Sequence, residues 1–195
     1  MKKTPPVIDA APSINRRRWL LLLWSAGLAA LLWRLIAAWE ISRGEYAFAV
    51  FSPAKATDLA TYMRLAEEVA NGKFTGAFYY QPFYYAVFLP LCRWLTGASV
   101  WGVIFFQALL GAFSAMIAGM SAALLAGRRA GIISAYLTAL CTILVFYTPF
   151  HQIATLQTFN VVLMAYWAIR AFQCGKLRYV TGFAFMAAVG ALTRG

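Results

Sequence analysis

Apolar stretches long enough to cross a lipid bilayer recur along this chain, and they restrict its fold more than any other feature. A helix needs about 20 apolar residues to cross the hydrocarbon core. Lipid offers no partners to backbone N–H and C=O groups, so apolar spans of this length fold as helices. The sequence therefore predicts an all-α, polytopic transmembrane helix bundle. The predicted spans are 19–39, 101–126, 131–149, 156–173 and 178 onward.

The composition supports a membrane protein and argues against a nucleic-acid-binding one. The chain is 63% hydrophobic and 12% charged, whereas about a quarter of the residues of a soluble domain are charged. The net charge of +11 would favour nucleic-acid binding in a soluble protein. Here the basic clusters lie between apolar spans, where lysine and arginine mark the cytoplasmic side of membrane helices. We expect no nucleic-acid partner.

The basic N-terminus fixes the orientation of the first span. Residues 1–18 carry Lys2, Lys3 and the run Arg16–Arg18, so we assign them to a cytoplasmic tail. The following run, 19–39, is longer than the apolar core of a signal peptide, and no small-x-small cleavage site follows it. A signal peptide is the alternative, but these two observations favour an uncleaved first membrane helix.

The aromatic segment 79–96 decides the rest of the topology. If it crossed the membrane, Arg128–Arg129 and the pair Lys176 and Arg178 would lie outside. If it rests in the interface instead, both basic clusters lie inside, as the positive-inside rule requires. Aromatic side chains also favour the headgroup level. We therefore predict that 79–96 is an interfacial helix within a long first outer loop, 40–100.

The outer loop is predicted to hold a second juxtamembrane helix, over residues 58–71. Thr57 or Asp58 can cap its start, and Asn71–Gly72 is a stop signal. Five of the six acidic residues of the chain lie between Glu40 and Glu68. The apolar face expected of this helix comprises Leu59, Tyr62, Met63, Ala66, Val69 and Ala70.

Asp58 has two interpretations. An aspartate at a helix start usually caps the helix. Its position just outside the membrane gives it a second role, because the helix dipole favours the ionised carboxylate, and an ionised carboxylate can take a proton from an acceptor hydroxyl. Spacing alone favours the cap, whereas location favours a general base.

Two other polar residues and one stripe of small residues stand out. The single histidine, His151, has no clustered partner, so we predict no metal site. Arg34 lies inside the first span, and it either serves a function there or snorkels to the nearby interface. The span 101–126 repeats small residues every four positions, which predicts close helix packing. That stripe is Gly111, Ala115, Gly119 and Ala123.

The order of several short motifs resembles the N-terminal part of a GT-C glycosyltransferase. The motifs are Asp58-x3-Tyr62-x2-Leu65-Ala66-Glu67-x4-Gly72, then Tyr79-Tyr80-Gln81-Pro82-x-Tyr84, then Gly127-Arg128-Arg129, and finally Thr193-Arg194-Gly195. The resemblance runs from about residue 19 to the end. It is to the dolichyl-phosphate-mannose protein mannosyltransferases of glycosyltransferase family 39 and to the bacterial lipid A aminoarabinose transferases.

The resemblance implies a reaction and a set of site residues. Such enzymes transfer a sugar from a polyprenyl-phosphate carrier to a lipid, glycan or protein acceptor at the outer face of the membrane. Asp58 would be the catalytic base, and Arg194 would bind the lipid phosphate. Tyr62, Tyr80 and Gln81 would line the acceptor side. A divalent cation is a candidate cofactor, and the expected location is the cell inner membrane.

The chain departs from the family pattern at three places. Leu59 follows Asp58 where many relatives have an acidic pair. Tyr80–Gln81 replaces the Glu-Lys of the aminoarabinose type, which argues against that sugar. Gln157 stands where a second outer loop usually contributes an acidic residue, and an amide cannot act as a base.

The relatives are longer, so we expect 19–195 to be the N-terminal part of a GT-C transmembrane domain. Such a part could be inactive on its own. A non-catalytic membrane scaffold or accessory subunit is the alternative. A transporter is disfavoured, because its polar groups would collect near the bilayer midplane and not in an outer loop.

Overall fold

The structure is a computed structural model that describes residues 14–75 and 80–194, without the side chain of Arg194. These residues form helices and their connections, with no strand among them, so the predicted all-α bundle is confirmed. The helices are α1 (Arg16–Ile41), α2 (Ala47–Phe51), α3 (Asp58–Ala70), α4 (Leu89–Thr96), α5 (Val100–Ala139), α6 (Thr142–Phe146), α7 (Ala154–Cys174) and α8 (Leu177–Arg194). A π-helical turn, Tyr84–Phe88, leads directly into α4.

Among the described helices, α1 and α5 are long and apolar enough to cross a membrane. The predicted spans 19–39 and 156–173 correspond closely to α1 and α7, and the span from 178 corresponds to α8. Asn15 starts α1, because its side chain accepts a hydrogen bond of 3.1 Å from the backbone N–H of Arg17. The long helices pack α1 against α5, α5 against α7, and α7 against α8.

Helix α5 reverses direction at Gly127, whose φ of 85° and ψ of 170° are not helical. A Cβ on Gly119 would lie 2.8 Å from the carbonyl oxygen of Gly131. In a continuous helix these residues would be about 18 Å apart along the axis. The arms 100–126 and 128–139 therefore pack antiparallel along small residues, and the close packing predicted for the stripe is confirmed.

The predicted span 131–149 is wrong as a single helix. The second arm of α5 ends at Ala139, and the short helix α6 follows after a break. Ala139 stands at this break with its carbonyl oxygen accepting a hydrogen bond of 3.3 Å from Nη1 of Arg34 on α1. This tertiary bond gives a partner to one of the carbonyl groups that a helix end leaves without an intrahelical N–H.

Side-chain bonds to the backbone define the two ends of the bundle. At one end, Arg128 donates to the carbonyl of Ile14 at 2.6 Å, and Gln173 donates to that of Leu124 at 2.9 Å. We call this the basic end, because several other cations lie near these residues in sequence, namely Arg16, Arg17, Arg18, Arg129, Lys176 and Arg178. At the opposite end, Gln107 donates to the carbonyls of Thr148 and Phe150 at 3.2 and 2.9 Å.

The two predicted juxtamembrane segments pack on each other at the opposite end. Helix α3 confirms the prediction over 58–71, and its buried residues are Tyr62, Leu65 and Ala66. The predicted apolar face was partly wrong, because Leu65 belongs to it and Ala70 is exposed. Tyr62, Leu65 and Ala66 belong to one core cluster, whose other members are Tyr84, Tyr85, Leu89, Cys92, Val103 and Leu156.

We predicted that the aromatic segment is an interfacial helix with its rings at the headgroup level. The structure agrees only in part, because some of these rings are buried. Tyr84 and Tyr85 are fully buried against α3, because the amphipathic face of that helix needs an apolar partner. Trp94 is 80% exposed, as expected for a headgroup anchor. The segment also packs against the start of α5, where a Cβ on Gly102 would meet the Thr96 side chain. Tyr79, which we placed in this helix, lies outside the described residues.

Candidate functional site

Asp58 is the first residue of α3, and its neighbour Thr57 caps the helix. The hydroxyl of Thr57 accepts a hydrogen bond of 3.4 Å from the backbone N–H of Ala60. The same hydroxyl donates to the carbonyl of Ala54 at 2.6 Å. Asp58 itself is exposed. The capping role that spacing favoured for Asp58 therefore belongs to Thr57, and the carboxylate lies in the first turn of the helix.

Tyr62 and Gln81 are joined by a hydrogen bond, in which the phenol donates to Oε1 of the amide. Tyr62 is 3% exposed. Its ring meets that of Tyr84 edge-on at 5.4 Å and stacks on that of Tyr85 at 6.5 Å. These contacts hold the phenol in one orientation. Two of the three residues predicted to line the acceptor side are thus in direct contact.

Gln81 has a φ of +66°, a left-handed conformation that is uncommon for a residue other than glycine. Such a conformation costs on the order of 1 kcal/mol or more and persists where the surrounding structure enforces it. Here the bond from Tyr62 fixes the side-chain oxygen, and the backbone enters the helical segment of Tyr84 directly afterwards. The amide nitrogen carries two further donors.

Asp58 and Tyr62 are four residues apart on α3, so they lie on the same side of that helix. The arrangement therefore places a carboxylate, a phenol and an amide along one side, in the order Asp58, Tyr62, Gln81. Tyr80 precedes Gln81 and is 70% exposed. These groups can accept a proton and form hydrogen bonds with a hydroxylated ligand.

Arg194 is the last residue of α8, and its side chain lies outside the described residues. The end of the helix can still be placed, because a Cβ on Gly190 would lie 2.5 Å from the amide nitrogen of Asn160. Asn160 lies in the second turn of α7. Leu156, in the first turn of α7, packs in the same core cluster as Tyr62. The backbone of Arg194 is therefore at the Asp58 end of the bundle.

His151 is buried beside this region, which the sequence did not predict. Its side chain is 3% exposed, and Nδ1 has no hydrogen-bond partner. It lines a cleft with Met63 of α3, Arg93 of α4 and Val103 of α5. Burial, and secondly the positive charge of Arg93, lower the pKa of His151 to about 4. Within 14–75 and 80–194, no three His, Cys, Asp or Glu side chains are grouped as a metal site would need.

We expect the burial of neutral His151 to make the packing around it sensitive to acid. Its pKa is about 4 in the folded chain against 6.5 ordinarily, so unfolding takes up a proton between these values. The stabilisation is complete above pH 6.5 and is lost as the pH falls towards 4. Thermal unfolding should show a steeper loss of stability over this range in the unaltered chain than in His151→Gln. Equal slopes for the two proteins would contradict the expectation.

The chain was compared with known protein families. Residues 80–195 match a family model described as dolichyl-phosphate-mannose-protein mannosyltransferase. The matched region covers more than half of the chain and includes Gln81, α5, α7 and α8, whereas α1 and α3 precede it. Neither the curated proteins nor the solved structures contain a match to the chain.

Proposed function

This chain belongs to the dolichyl-phosphate-mannose-protein mannosyltransferase family, a family of membrane glycosyltransferases, and on that basis we propose that it transfers a sugar from a polyprenyl-phosphate carrier. The acceptor would be a hydroxyl group of a lipid, glycan or protein at the outer face of the membrane. Family membership supports glycosyl transfer of the GT-C type. The donor, the side of the membrane and the roles of individual residues are our proposal.

The observation that carries the proposal is the exposed carboxylate of Asp58 in the first turn of α3. Because Thr57 caps the helix, the carboxylate is not needed for that purpose. In the proposed reaction Asp58 takes the proton of the acceptor hydroxyl as the oxygen attacks the anomeric carbon. The bond from that carbon to the phosphate oxygen breaks, and the sugar is transferred with inversion.

The leaving polyprenyl phosphate takes the electron pair of the broken bond and needs a cation beside it. We assign this role to Arg194, because a guanidinium group can bind phosphate through two parallel hydrogen bonds. The end of α8 lies at the Asp58 end of the bundle, as the contact between Gly190 and Asn160 indicates. Tyr62, Tyr80 and Gln81 would orient the acceptor. A divalent cation stays a candidate cofactor, and no step depends on it.

The charge distribution supports the orientation that this reaction needs. Among the described residues, all five carboxylates lie between Glu40 and Glu68, whereas Arg16–Arg18, Arg128–Arg129 and Lys176 belong to the basic end. Lysine and arginine collect on the cytoplasmic side of membrane proteins. We therefore propose that the N-terminus is cytoplasmic and that Asp58 faces the outer side of the cell inner membrane.

A direct test is to supply the donor. Membranes that contain the chain, and matched membranes without it, would be incubated with polyprenyl-phosphate mannose carrying a radiolabelled sugar. The proposal expects transfer of label to an endogenous acceptor, together with release of polyprenyl phosphate, only where the chain is present. Equal transfer in both membranes would count against catalysis by this chain with mannose as the sugar.

Gln157 favours a second candidate function, that of a non-catalytic membrane scaffold or accessory subunit. Relatives usually carry an acidic residue near this position, and a neutral amide cannot act as a base. Gln157 also has a buried side-chain oxygen without a hydrogen-bond partner. An accessory subunit would show no turnover when purified, although its deletion would lower the activity of a separate transferase.

Replacing Tyr62 by Phe tests the acceptor side. The change removes the hydrogen bond to Gln81, and a neutral hydrogen bond contributes about 1 kcal/mol. We expect the KM for the acceptor to rise severalfold, with the KM for the donor unchanged, in steady-state assays. Tyr46→Phe is the matched control, because Tyr46 is 52% exposed on the loop before α2. Identical acceptor KM values for Tyr62→Phe and the control would exclude Tyr62 from the acceptor side.

A further inference from the structure

Arg34 is a buried cation without a carboxylate partner, and the reaction proposed above does not use it. It lies on α1, seven residues before the helix ends at Ile41, and only 1% of it is exposed. The side chain therefore does not snorkel to the interface. Arg34 forms no ion pair with a carboxylate of the described residues. A buried charge without compensation is strongly destabilising.

Two backbone carbonyls accept hydrogen bonds from one nitrogen of the guanidinium group. Nη1 donates to the carbonyl of Ala30 at 3.2 Å and to that of Ala139 at 3.3 Å. The second bond places the cation at the C-terminus of the second arm of α5, where the helix dipole favours positive charge. Nε is buried and has no partner. Support of a helix end therefore accounts for the hydrogen bonds of Nη1, but it does not account for the buried Nε.

Arg34 lines a small pocket that contains a second buried polar atom without a partner. That atom is Oγ1 of Thr155, in the first turn of α7. Ser114 and Thr158 also line the pocket. Their hydroxyls donate to the carbonyls of Leu110 and Ala154, both at 2.8 Å. The pocket therefore combines a cation with an unused N–H and an unused hydroxyl group, and both can donate to an anion.

Gly111 provides the space for the guanidinium, because a Cβ there would lie 2.2 Å from Nε of Arg34. The space in the pocket measures about 10 Å³, which is about the volume that one water molecule needs. Leu144 and Tyr147 also line the pocket, and Tyr147 is 37% exposed. An oxyanion can therefore place one oxygen inside while its remaining atoms stay at the mouth, between α6 and α7.

We propose that this pocket is a phosphate-binding site, in which Arg34 and Thr155 bind one oxygen of a phosphate group. Guanidinium groups are well suited to phosphate oxygens, and their bonds to phosphate are charge-assisted. Arg34 is about 10 Å from the end of α1, measured along the helix axis. A lipid phosphomonoester and inorganic phosphate share this chemistry. The inference stands whether or not the chain transfers sugars.

The test measures phosphate binding by the full chain in nanodiscs of neutral phosphatidylcholine. Dioleoyl phosphatidate is added in one arm and inorganic phosphate in the other, with native mass spectrometry and thermal unfolding as readouts. We expect bound phosphatidate and a higher unfolding temperature for the unaltered chain. Binding in the phosphatidate arm alone assigns the site to a lipid headgroup, and binding in both arms assigns it to phosphate itself. Binding in neither arm overturns the proposal.

Two variants link that binding to the pocket. Arg34→Gln should weaken phosphate binding at least tenfold. Thr155→Val should weaken it about fivefold without loss of stability, because its hydroxyl has no hydrogen-bond partner among the described residues. Ser121→Ala is the control, because it removes a hydroxyl that donates to Ile117 further along α5. If Arg34→Gln fails to fold, the phosphate affinity of Thr155→Val tests the site instead. Equal phosphate affinity of Thr155→Val and Ser121→Ala would contradict the proposed site, and it would leave Arg34 with only the structural role of binding the end of α5.

Discussion

Replacing Asp58 by Asn is expected to lower sugar transfer by about 10²- to 10⁴-fold, which is the usual contribution of a general base. The amide has nearly the same size as the carboxylate but cannot accept the proton of the acceptor hydroxyl. Helix α3 should keep its start, because Thr57 provides the cap. The measurement is the initial rate of transfer from a polyprenyl-phosphate sugar, with equal amounts of protein in the membrane.

Glu67→Gln is the matched control for this variant. Glu67 is an exposed carboxylate in the last turns of the same helix, so its change alters the charge of α3 equally and leaves the proposed base in place. We expect its rate to stay within a factor of two or so of the unaltered chain, since exposed charges contribute little. Unchanged turnover of Asp58→Asn would remove Asp58 from the mechanism. An equal loss in both variants would indicate a general effect of charge.

Replacing Gly131 by Leu is expected to cause the largest loss of stability, about 3 kcal/mol or more. A Cβ at this position would lie 2.6 Å from the carbonyl oxygen of Gly119 and 2.7 Å from Cβ of Ala123. The first contact is with backbone, so the two arms of α5 must separate to admit the side chain. Thermal unfolding of the purified chain in detergent, together with the fraction recovered as monomer, would measure the loss.

Ile133→Leu is the control for this variant, since Ile133 lies on the same arm and is 60% exposed. It conserves volume at a largely exposed position, and we expect its unfolding temperature to change little. A Gly131→Leu protein as stable as this control would show that the arms of α5 do not pack as described.

Much of the fold was predictable because apolar length and periodicity report local structure. Helix α3 was predicted over 58–71 and is observed over Asp58–Ala70, since its face pattern and stop signal are both local. The reversal at Gly127 falls between the predicted spans 101–126 and 131–149, where the charged pair Arg128–Arg129 interrupts the apolar sequence. The break after Ala139 was not predicted. It is accompanied by a bond from Arg34, which is 105 residues away along the chain.

Some residues of the candidate site were also predictable from the sequence, whereas their contacts were not. Asp58, Tyr62 and Gln81 were identified from motifs whose order resembles the family. The family match covers residues 80–195, so it includes Gln81 but neither Asp58 nor Tyr62. The contact between Tyr62 and Gln81 depends on a left-handed backbone at Gln81, which residue periodicity does not encode. The cleft of His151 and the pocket of Arg34 were missed, because each combines residues from three or more separate helices or loops.

The orientation of the bundle is the claim on which the site depends, and cysteine labelling tests it most directly. Single cysteines would replace Lys73 in the outer loop and Arg128 at the basic end, in a chain whose Cys92, Cys141 and Cys174 are changed to alanine; both target positions are exposed. A membrane-impermeant maleimide would then be applied to intact cells with a permeabilised outer envelope. We expect labelling at position 73 and protection at position 128 until the inner membrane is opened. Labelling at position 128 in intact inner membranes would contradict the account, because it would mean that the aromatic segment crosses the bilayer.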